Sequence, residues 1–186
     1  MSAKTVFDEI AALFAAPGGE TYGEGVTTAE HCLQTAALAR AEGADEALCV
    51  AALLHDVGHF LEERDDEFGY HKHDHSGGEW LAARFPAAIS EPVRLHVAAK
   101  RYLCATEVEY FTVLSHASRH SLSKQGGAMS AEEAAVFLAR PFATEAVRLR
   151  RWDDRGKVTD AEVPPLESYR AVIARMTLPR PKSLPA

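Results

Sequence analysis

The chain has little of what marks secreted, membrane-spanning or nucleic-acid-binding proteins. Its three cysteines are odd in number and far apart, so they form neither a disulfide framework nor a CxxC metal site, which fits a reducing cytoplasm. No run approaches the roughly 18 apolar residues of a membrane helix, and acidic residues precede the apolar stretch near the N-terminus, where a signal peptide has basic ones. A formal charge of −7 gives no general attraction to nucleic acid or anionic membranes. We therefore expect a cytoplasmic protein whose partner is a small molecule.

Strand-like alternation of β-branched residues is also scarce, whereas signals for helix ends recur. With 186 residues and 47% apolar composition, the chain is long enough for one buried core. The sequence thus predicts an all-α protein with a single domain over residues 1–186, a motif-bearing core at about 20–157, and a C-terminal helix and frayed tail after 165.

Several helix starts are marked by capping residues. Thr27 with Glu30 and Ser130 with Glu133 form capping boxes, and an acidic cap near Asp45 begins an apolar helix that continues into "LLHDVGHF". A further helix is predicted to start at Ser90, which is followed by Pro92. Loops are predicted at residues 16–25, 64–74, 123–129 and 155–165.

Nine histidines are the most unusual feature of the sequence. Taken singly, such residues are usually surface or core histidines, but His55 and Asp56 are neighbours inside an apolar run, where a charge is costly. A carboxylate has two oxygens, so Asp56 can bridge two metal ions about 3.5–4 Å apart while His55 binds one of them. Bound cations would neutralise the buried charge.

Further ligands must come from other helices. His31 and His96 lie on two of them, His73 or His75 begins a third, and Asp153 or Asp154 lies near the C-terminal end. Such a mixed nitrogen and oxygen set favours iron, manganese or zinc over magnesium or calcium.

The spaced set of histidines and aspartates resembles the HD-domain superfamily of metal-dependent helical proteins. Within it, the chain is most similar to the phosphonate-degrading branch of the mixed-valent di-iron oxygenases, over residues 20–157. The resemblance is carried by the segments "YGEGVTTAEHCLQTAALA", "LLHDVGHFL", "HSGGEWLAARF", "PVRLHVAAKRYLC", "QGGAMS" and "LRRWDDRGK". It implies an HD-type helical bundle with a di-metal site between the helices.

The resemblance also implies which side chains hold the two irons. His75 is chosen over His73 because it opens the segment "HSGGEWL", and Asp153 over Asp154 because it follows Trp152. One iron would be held by His31, His55, Asp56 and Asp153. The other would be held by Asp56, His75 and His96. The implied ligands are His31, His55, Asp56, His75, His96 and Asp153.

The spacing places two cations beside these ligands. Lys100 lies one helical turn after His96, and Arg150 three residues before Asp153. A compact ammonium facing the metals would suit a phosphonate oxygen. The resemblance implies that the phosphonate group is held by Lys100, Ser118, Ser121 and Arg150.

Three more roles are implied by the resemblance. His59 contacts the substrate and helps to bind or deprotonate its hydroxyl group, and Glu24 receives the substrate's ammonium group. Tyr22 acts as a lid that covers or ligates an iron at rest. Tyr22, His59 and Lys100 are thus the expected catalytic residues.

The implied activity is oxygenation of a small 1-hydroxy-2-aminoethylphosphonate, primary or N-methylated, by an Fe(II)/Fe(III) pair and O2. The products would be glycine or glycine betaine, and phosphate. Two alternatives remain: an HD phosphohydrolase acting on a nucleotide or small phosphoester, and a non-catalytic HD-like signalling module. The residues leave open the metal, the methylation state of the substrate and the oligomer, for which we expect a monomer or weak homodimer.

Overall fold

The computed structural model describes residues 4–15, 25–61 and 73–179, and within these ranges it contains helices and no strands. Two short 3-10 turns, Val57–Phe60 and Leu166–Tyr169, accompany the α-helices. The α-helices are α1 (Val6–Phe14), α2 (Thr28–Ala41), α3 (Glu46–Leu54), α4 (His73–Ala82), α5 (Ala87–Thr106), α6 (Tyr110–Val113), α7 (His116–Lys124), α8 (Ala131–Leu138), α9 (Ala143–Arg155) and α10 (Arg170–Met176). The predicted all-α class is confirmed.

The central element is α3, whose residues from Leu48 to Leu54 are all buried. It packs against α2, α5, α9 and α10. The 20-residue helix α5 also contacts α4, α8 and α9, and α1 pairs with α10 on one side of the core. Since α2, α3, α5 and α9 meet around one core, polar side chains on their inner faces are brought together.

The local signals located most helix ends. Thr27 and Ser130 form the predicted capping boxes, and Asp45 caps α3 through the backbone N–H of Leu48. The predicted start at Ser90 is wrong, because α5 begins at Ala87 after the extended Pro86 and includes Pro92 in its interior. The predicted loop at 64–74 also ends earlier than expected, since α4 begins at His73.

No helix in the described part of the chain combines the length and the apolar character that crossing a membrane requires.

Candidate active site

His55 and Asp56 lie at the end of α3. The helix ends at Leu54, His55 caps it, and Asp56 leaves the helical backbone with φ −100° and ψ 16° before the 3-10 turn begins. His55 is fully buried and Asp56 is 8% exposed. The change of backbone conformation lets two adjacent side chains meet in one place, which an uninterrupted helix would prevent by turning them about 100° apart.

One oxygen of Asp56 faces a first group of ligand atoms, which consists of the side chains of His31, His55 and Asp153. Asp56 Oδ2 lies 3.6 Å from His31 Nε2 and 3.4 Å from His55 Nε2. The two Nε2 atoms are 3.0 Å apart, and Asp153 Oδ1 lies 3.3 Å from His31 Nε2 and 3.9 Å from His55 Nε2. Helices α2 and α9 and the end of α3 therefore supply the first group.

The other oxygen of Asp56 faces a second group, which consists of His73 and His96. Asp56 Oδ1 lies 3.6 Å from His73 Nε2 and 3.8 Å from His96 Nε2, and these two nitrogens are 3.1 Å apart. His59 stands beside them, with its Nε2 3.9 Å from Asp56 Oδ1 and its ring stacked on that of His73 at 4.0 Å. The carboxylate of Asp56 thus lies between two clusters of imidazoles.

The structure does not place His75 in this cluster. The His75 side chain is 58% exposed, and its Nδ1 lies 3.2 Å from Arg94 Nη1 and 3.8 Å from Glu79 Oε1. His73, two residues earlier on α4, occupies the position expected of His75. The physical reason is the helical turn of about 200° between the two residues, which directs one inward and the other to the surface.

Gly58 allows this arrangement. A Cβ atom at residue 58 would lie 2.1 Å from the carbonyl oxygen of His73 and 2.7 Å from its Cα, so the backbones of the 3-10 turn and α4 are nearly in contact. Only glycine permits such an approach. Gly58 therefore determines how closely His73 can approach Asp56.

Backbone carbonyl groups orient the imidazoles. His31 Nδ1 lies 2.8 Å from Gly156 O, His55 Nδ1 2.9 Å from Ala52 O, and His96 Nδ1 2.6 Å from Val93 O. A carbonyl oxygen only accepts, so each Nδ1 carries the proton and each Nε2 presents its lone pair to the cluster. Histidine ligands of metal ions are oriented in this way.

This donor set fits two metal ions. The facing Nε2 lone pairs of His31 and His55 repel each other unless a proton or a cation lies between them. Ligand atoms bound at about 2.1 Å around one ion lie roughly 3.0–3.4 Å apart at octahedral or tetrahedral angles. The separations of 3.0–3.9 Å within each group are close to that spacing.

The charges of the cluster are mutually stabilised. Burial raises the pKa of Asp56, but the surrounding imidazoles outweigh burial and hold it well below its usual range. For His31, burial lowers the pKa, but the hydrogen bond and the charge of Asp153 outweigh burial and raise it overall. Burial and the charge of His73 lower the pKa of His96 to about 4. A protonated Nε2 cannot bind a metal ion, so metal binding should weaken as the pH falls.

A buried polar cluster with two cationic side chains adjoins the first group of ligand atoms. Lys100 is 2% exposed, and its Nζ donates to Ser121 Oγ at 2.7 Å and to the carbonyl oxygen of Ser118 at 3.4 Å. Arg150 is 4% exposed, with Nη2 donating to Ser118 Oγ at 3.2 Å. Burial, followed by the charge of Arg150, lowers the pKa of Lys100 to about 7. The structure thus brings together the four residues predicted to hold the anion.

Arg150 links this polar cluster to the expected metal ligand Asp153. Its Nη1 lies 2.7 Å from Asp153 Oδ2, the carboxylate oxygen that faces away from His31. Asp154 binds the same guanidinium through Nε at 3.2 Å and through Nη2, and the hydroxyl of Tyr110 donates to Asp154. Burial opposes the charge of Arg150, but Asp153 and Asp154 raise its pKa.

Two expected residues, Tyr22 and Glu24, lie outside the described residues. Other contributors were missed by the sequence. The sequence suggested Asp154 only as a metal ligand, whereas in the structure it binds Arg150. The close contact of Gly58 with His73 had no signal in the sequence beyond the position of Gly58 after the His55–Asp56 pair. The sequence also gave no signal for the role of Tyr110, because its partner Asp154 is 44 residues away.

Several known proteins are similar to this chain in sequence. A family model described as HD domain matches residues 28–154. The chain is 45% identical over 178 residues to the 1-hydroxy-2-(trimethylamino)ethylphosphonate dioxygenase (glycine-betaine-forming) of Leisingera caerulea, covering 92% of this chain and 90% of that one. It is also 45% identical over 161 residues to the hydroxymethylphosphonate dioxygenase of Gimesia maris, covering 84% of this chain and 80% of that one.

Proposed function

This chain belongs to the HD-domain family, and on that premise we propose that it is a di-iron oxygenase that cleaves the carbon–phosphorus bond of a small 1-hydroxyphosphonate. The proposed substrate is 2-amino-1-hydroxyethylphosphonate or an N-methylated analogue, and O2 is the co-substrate. The two relatives are named as dioxygenases of different substrates, one with a trimethylamino group and one without. What those substrates share is the hydroxyl group on the carbon next to phosphorus.

One observation carries the proposal: the buried carboxylate of Asp56 presents one oxygen to each of two imidazole groups, beside a buried polar cluster with two cationic side chains. We assign His31, His55, Asp56 and Asp153 to one iron. We assign Asp56, His73 and His96 to the other, with His73 in place of His75. When bound, the Fe(II)/Fe(III) pair would supply the redox chemistry that activates O2.

The protein's own groups bind and orient the substrate. Lys100, Arg150, Ser118 and Ser121 would hold the phosphonate oxygens, because two cations and two hydroxyl groups converge on one buried place. Since Arg150 also binds Asp153, an anion held there lies next to the first iron's ligands. This placement leaves the carbon next to phosphorus directed at the metals.

His59 is assigned to the substrate hydroxyl. Its imidazole is 11% exposed and borders Asp56 and His73, so a substrate oxygen bound at the second group would lie near it. A neutral imidazole can accept the hydroxyl proton. The roles of Tyr22 as a lid and of Glu24 as the partner of the substrate ammonium group are proposed from the sequence alone.

The overall reaction balances without another reductant. The carbon–phosphorus bond of 2-amino-1-hydroxyethylphosphonate breaks, the carbon next to phosphorus is oxidised to a carboxylate, and O2 supplies two oxygen atoms. One substrate molecule and one O2 account for all the atoms of glycine and phosphate. With the trimethylamino substrate, the corresponding product is glycine betaine.

The test is phosphate release by the iron-loaded protein, with O2 consumption followed in parallel. We expect one O2 consumed per phosphate from the 1-hydroxyphosphonate in air, and no phosphate in the absence of O2. Asp56→Asn should abolish the reaction, whereas His75→Ala, a surface substitution on α4, should retain it. Phosphate release without O2, or from phosphoesters instead of the phosphonate, would establish a phosphohydrolase and overturn the proposal.

A further inference from the structure

A buried glutamine joins the helix that carries His31 to the segment that follows the helix carrying Asp153. Gln34 lies on α2, three residues after His31, and is 5% exposed. Its Nε2 donates to the carbonyl oxygen of Val158 at 2.8 Å, and its Oε1 accepts from the N–H of Val158 at 2.9 Å. The amide is thus paired with both backbone polar groups of Val158, which lies in the segment that follows α9, residues 156–158, here called the strap.

The strap supplies the carbonyl group that orients His31. Gly156 O accepts from His31 Nδ1 at 2.8 Å, and the N–H of Gly156 caps the end of α9 by donating to Trp152 O at 2.8 Å. A Cβ at residue 156 would lie 2.6 Å from Thr35 Oγ1 and 3.3 Å from His31 O, so the strap lies directly against α2. The strap therefore links the Gln34 amide to the His31 imidazole.

We propose that Gln34 is a positioning residue for the metal centre: its two hydrogen bonds to Val158 hold the Gly156 carbonyl against His31 and so fix the imidazole tautomer that presents Nε2 to the metal. The inference rests on the proposed metal site. A neutral imidazole has one proton, and a proton held at Nδ1 by a carbonyl oxygen leaves Nε2 free to bind. If the strap moves away, the Nδ1 proton loses its acceptor. The tautomer with the proton on Nε2, which faces Asp153 Oδ1 at 3.3 Å, is then favoured, and it blocks the nitrogen that faces the metal site.

The residues allow a graded test. Gln34→Leu removes both hydrogen bonds to Val158, whereas Gln34→Glu keeps the acceptor for the Val158 N–H, replaces the donor by a carboxylate oxygen and adds a negative charge. Ser130→Ala is the matched control, because it removes the N-terminal cap of α8, a hydrogen bond distant in sequence from the site, and destabilises the fold by another route. All four proteins are first compared by thermal unfolding without metal.

Binding of Mn²⁺ to the metal-free proteins is then measured by the EPR signal of the free ion. Partners that orient metal-bound histidines typically change metal affinity by roughly 10–100-fold when removed. We expect a loss in that range for Gln34→Leu, a smaller loss for Gln34→Glu, and no more than about a twofold change for Ser130→Ala. A purely structural role would lower the unfolding temperature of all three variants and leave their Mn²⁺ affinities alike, which would overturn the proposal.

The tautomer is read from two-bond ¹H–¹⁵N correlations of ¹⁵N-histidine protein without metal, at a pH where His31 is neutral. In the unsubstituted protein His31 should carry its proton on Nδ1, and in Gln34→Leu the Nε2-protonated form should appear. Should Gln34→Leu not fold, Gln34→Glu decides by the same spectrum. An unchanged tautomer in a folded variant overturns the inference. Failure of the unsubstituted protein to bind metal would instead count against the proposed function.

Discussion

Replacement of His73 by alanine should remove one metal ion and leave the fold intact. The metal ion at the second group would have three protein ligands, Asp56, His73 and His96, and the variant retains two of them. Structural metal sites with four ligands contribute about 10–16 kcal/mol, or roughly 3 kcal/mol per ligand, which corresponds to a loss of about 10²-fold in affinity. In the metal-free protein the substitution also removes the close contact of 3.1 Å between the Nε2 atoms of His73 and His96. The metal-free variant should still fold, because His73 lies in the first turn of α4 and outside the apolar core.

The control for this prediction lies two residues away. His75 is 58% exposed and contacts only Arg94 and Glu79 at the surface among the described residues, so His75→Ala should change stability by less than about 1 kcal/mol. The assay is iron content per chain after reconstitution and dialysis, together with urea unfolding of the metal-free proteins. We expect two ions for His75→Ala and one for His73→Ala. The reverse pattern would refute the assignment of His73 from the geometry.

Three further outcomes follow from the site. Lys100 is charged below its pKa of about 7 and loses that charge as the pH rises through 7. The KM for the phosphonate, measured by steady-state kinetics, should therefore rise above pH 7. The arginine of Lys100→Arg stays charged, so this variant should show a flatter rise. Tyr110→Phe removes the hydroxyl that donates to Asp154 and should lower the free energy of urea unfolding by about 1 kcal/mol. Gly58→Ala places a Cβ 2.1 Å from the His73 carbonyl and should cost about 3 kcal/mol or more in the same assay, with loss of bound iron.

Local interactions explain why much of the fold could be predicted. The capping residues Thr27, Asp45 and Ser130 bond to backbone groups three residues away, so a short stretch of sequence contains both partners. The start of α5 was wrong by three residues, because Ser90 followed by Pro92 has the composition of a first helical turn while the chain already enters the helix after Pro86.

The site was predictable as a set of residue types and less so in its details. The spacing of His31, His55–Asp56, His96 and Asp153 identified side chains that the structure does bring together. The choice between His73 and His75 depends on which face of α4 packs against Gly58 and α5, and that contact has no local signal.

The links between the site's residues were hidden for the same reason. Gln34 and Val158 are 124 residues apart, and Tyr110 and Asp154 are 44 apart. Each pair is a hydrogen bond between different elements, formed only when the core assembles. Residues that orient a site through a neighbour are therefore the hardest to find from one sequence.

The most direct measurement is anomalous diffraction at the iron edge from crystals grown with iron. Two peaks about 3.5–4 Å apart are expected, each within bonding distance of a different oxygen of Asp56. One ion should be bound by His31, His55 and Asp153, and the other by His73 and His96. A single peak, or two peaks that do not share Asp56, would contradict the account.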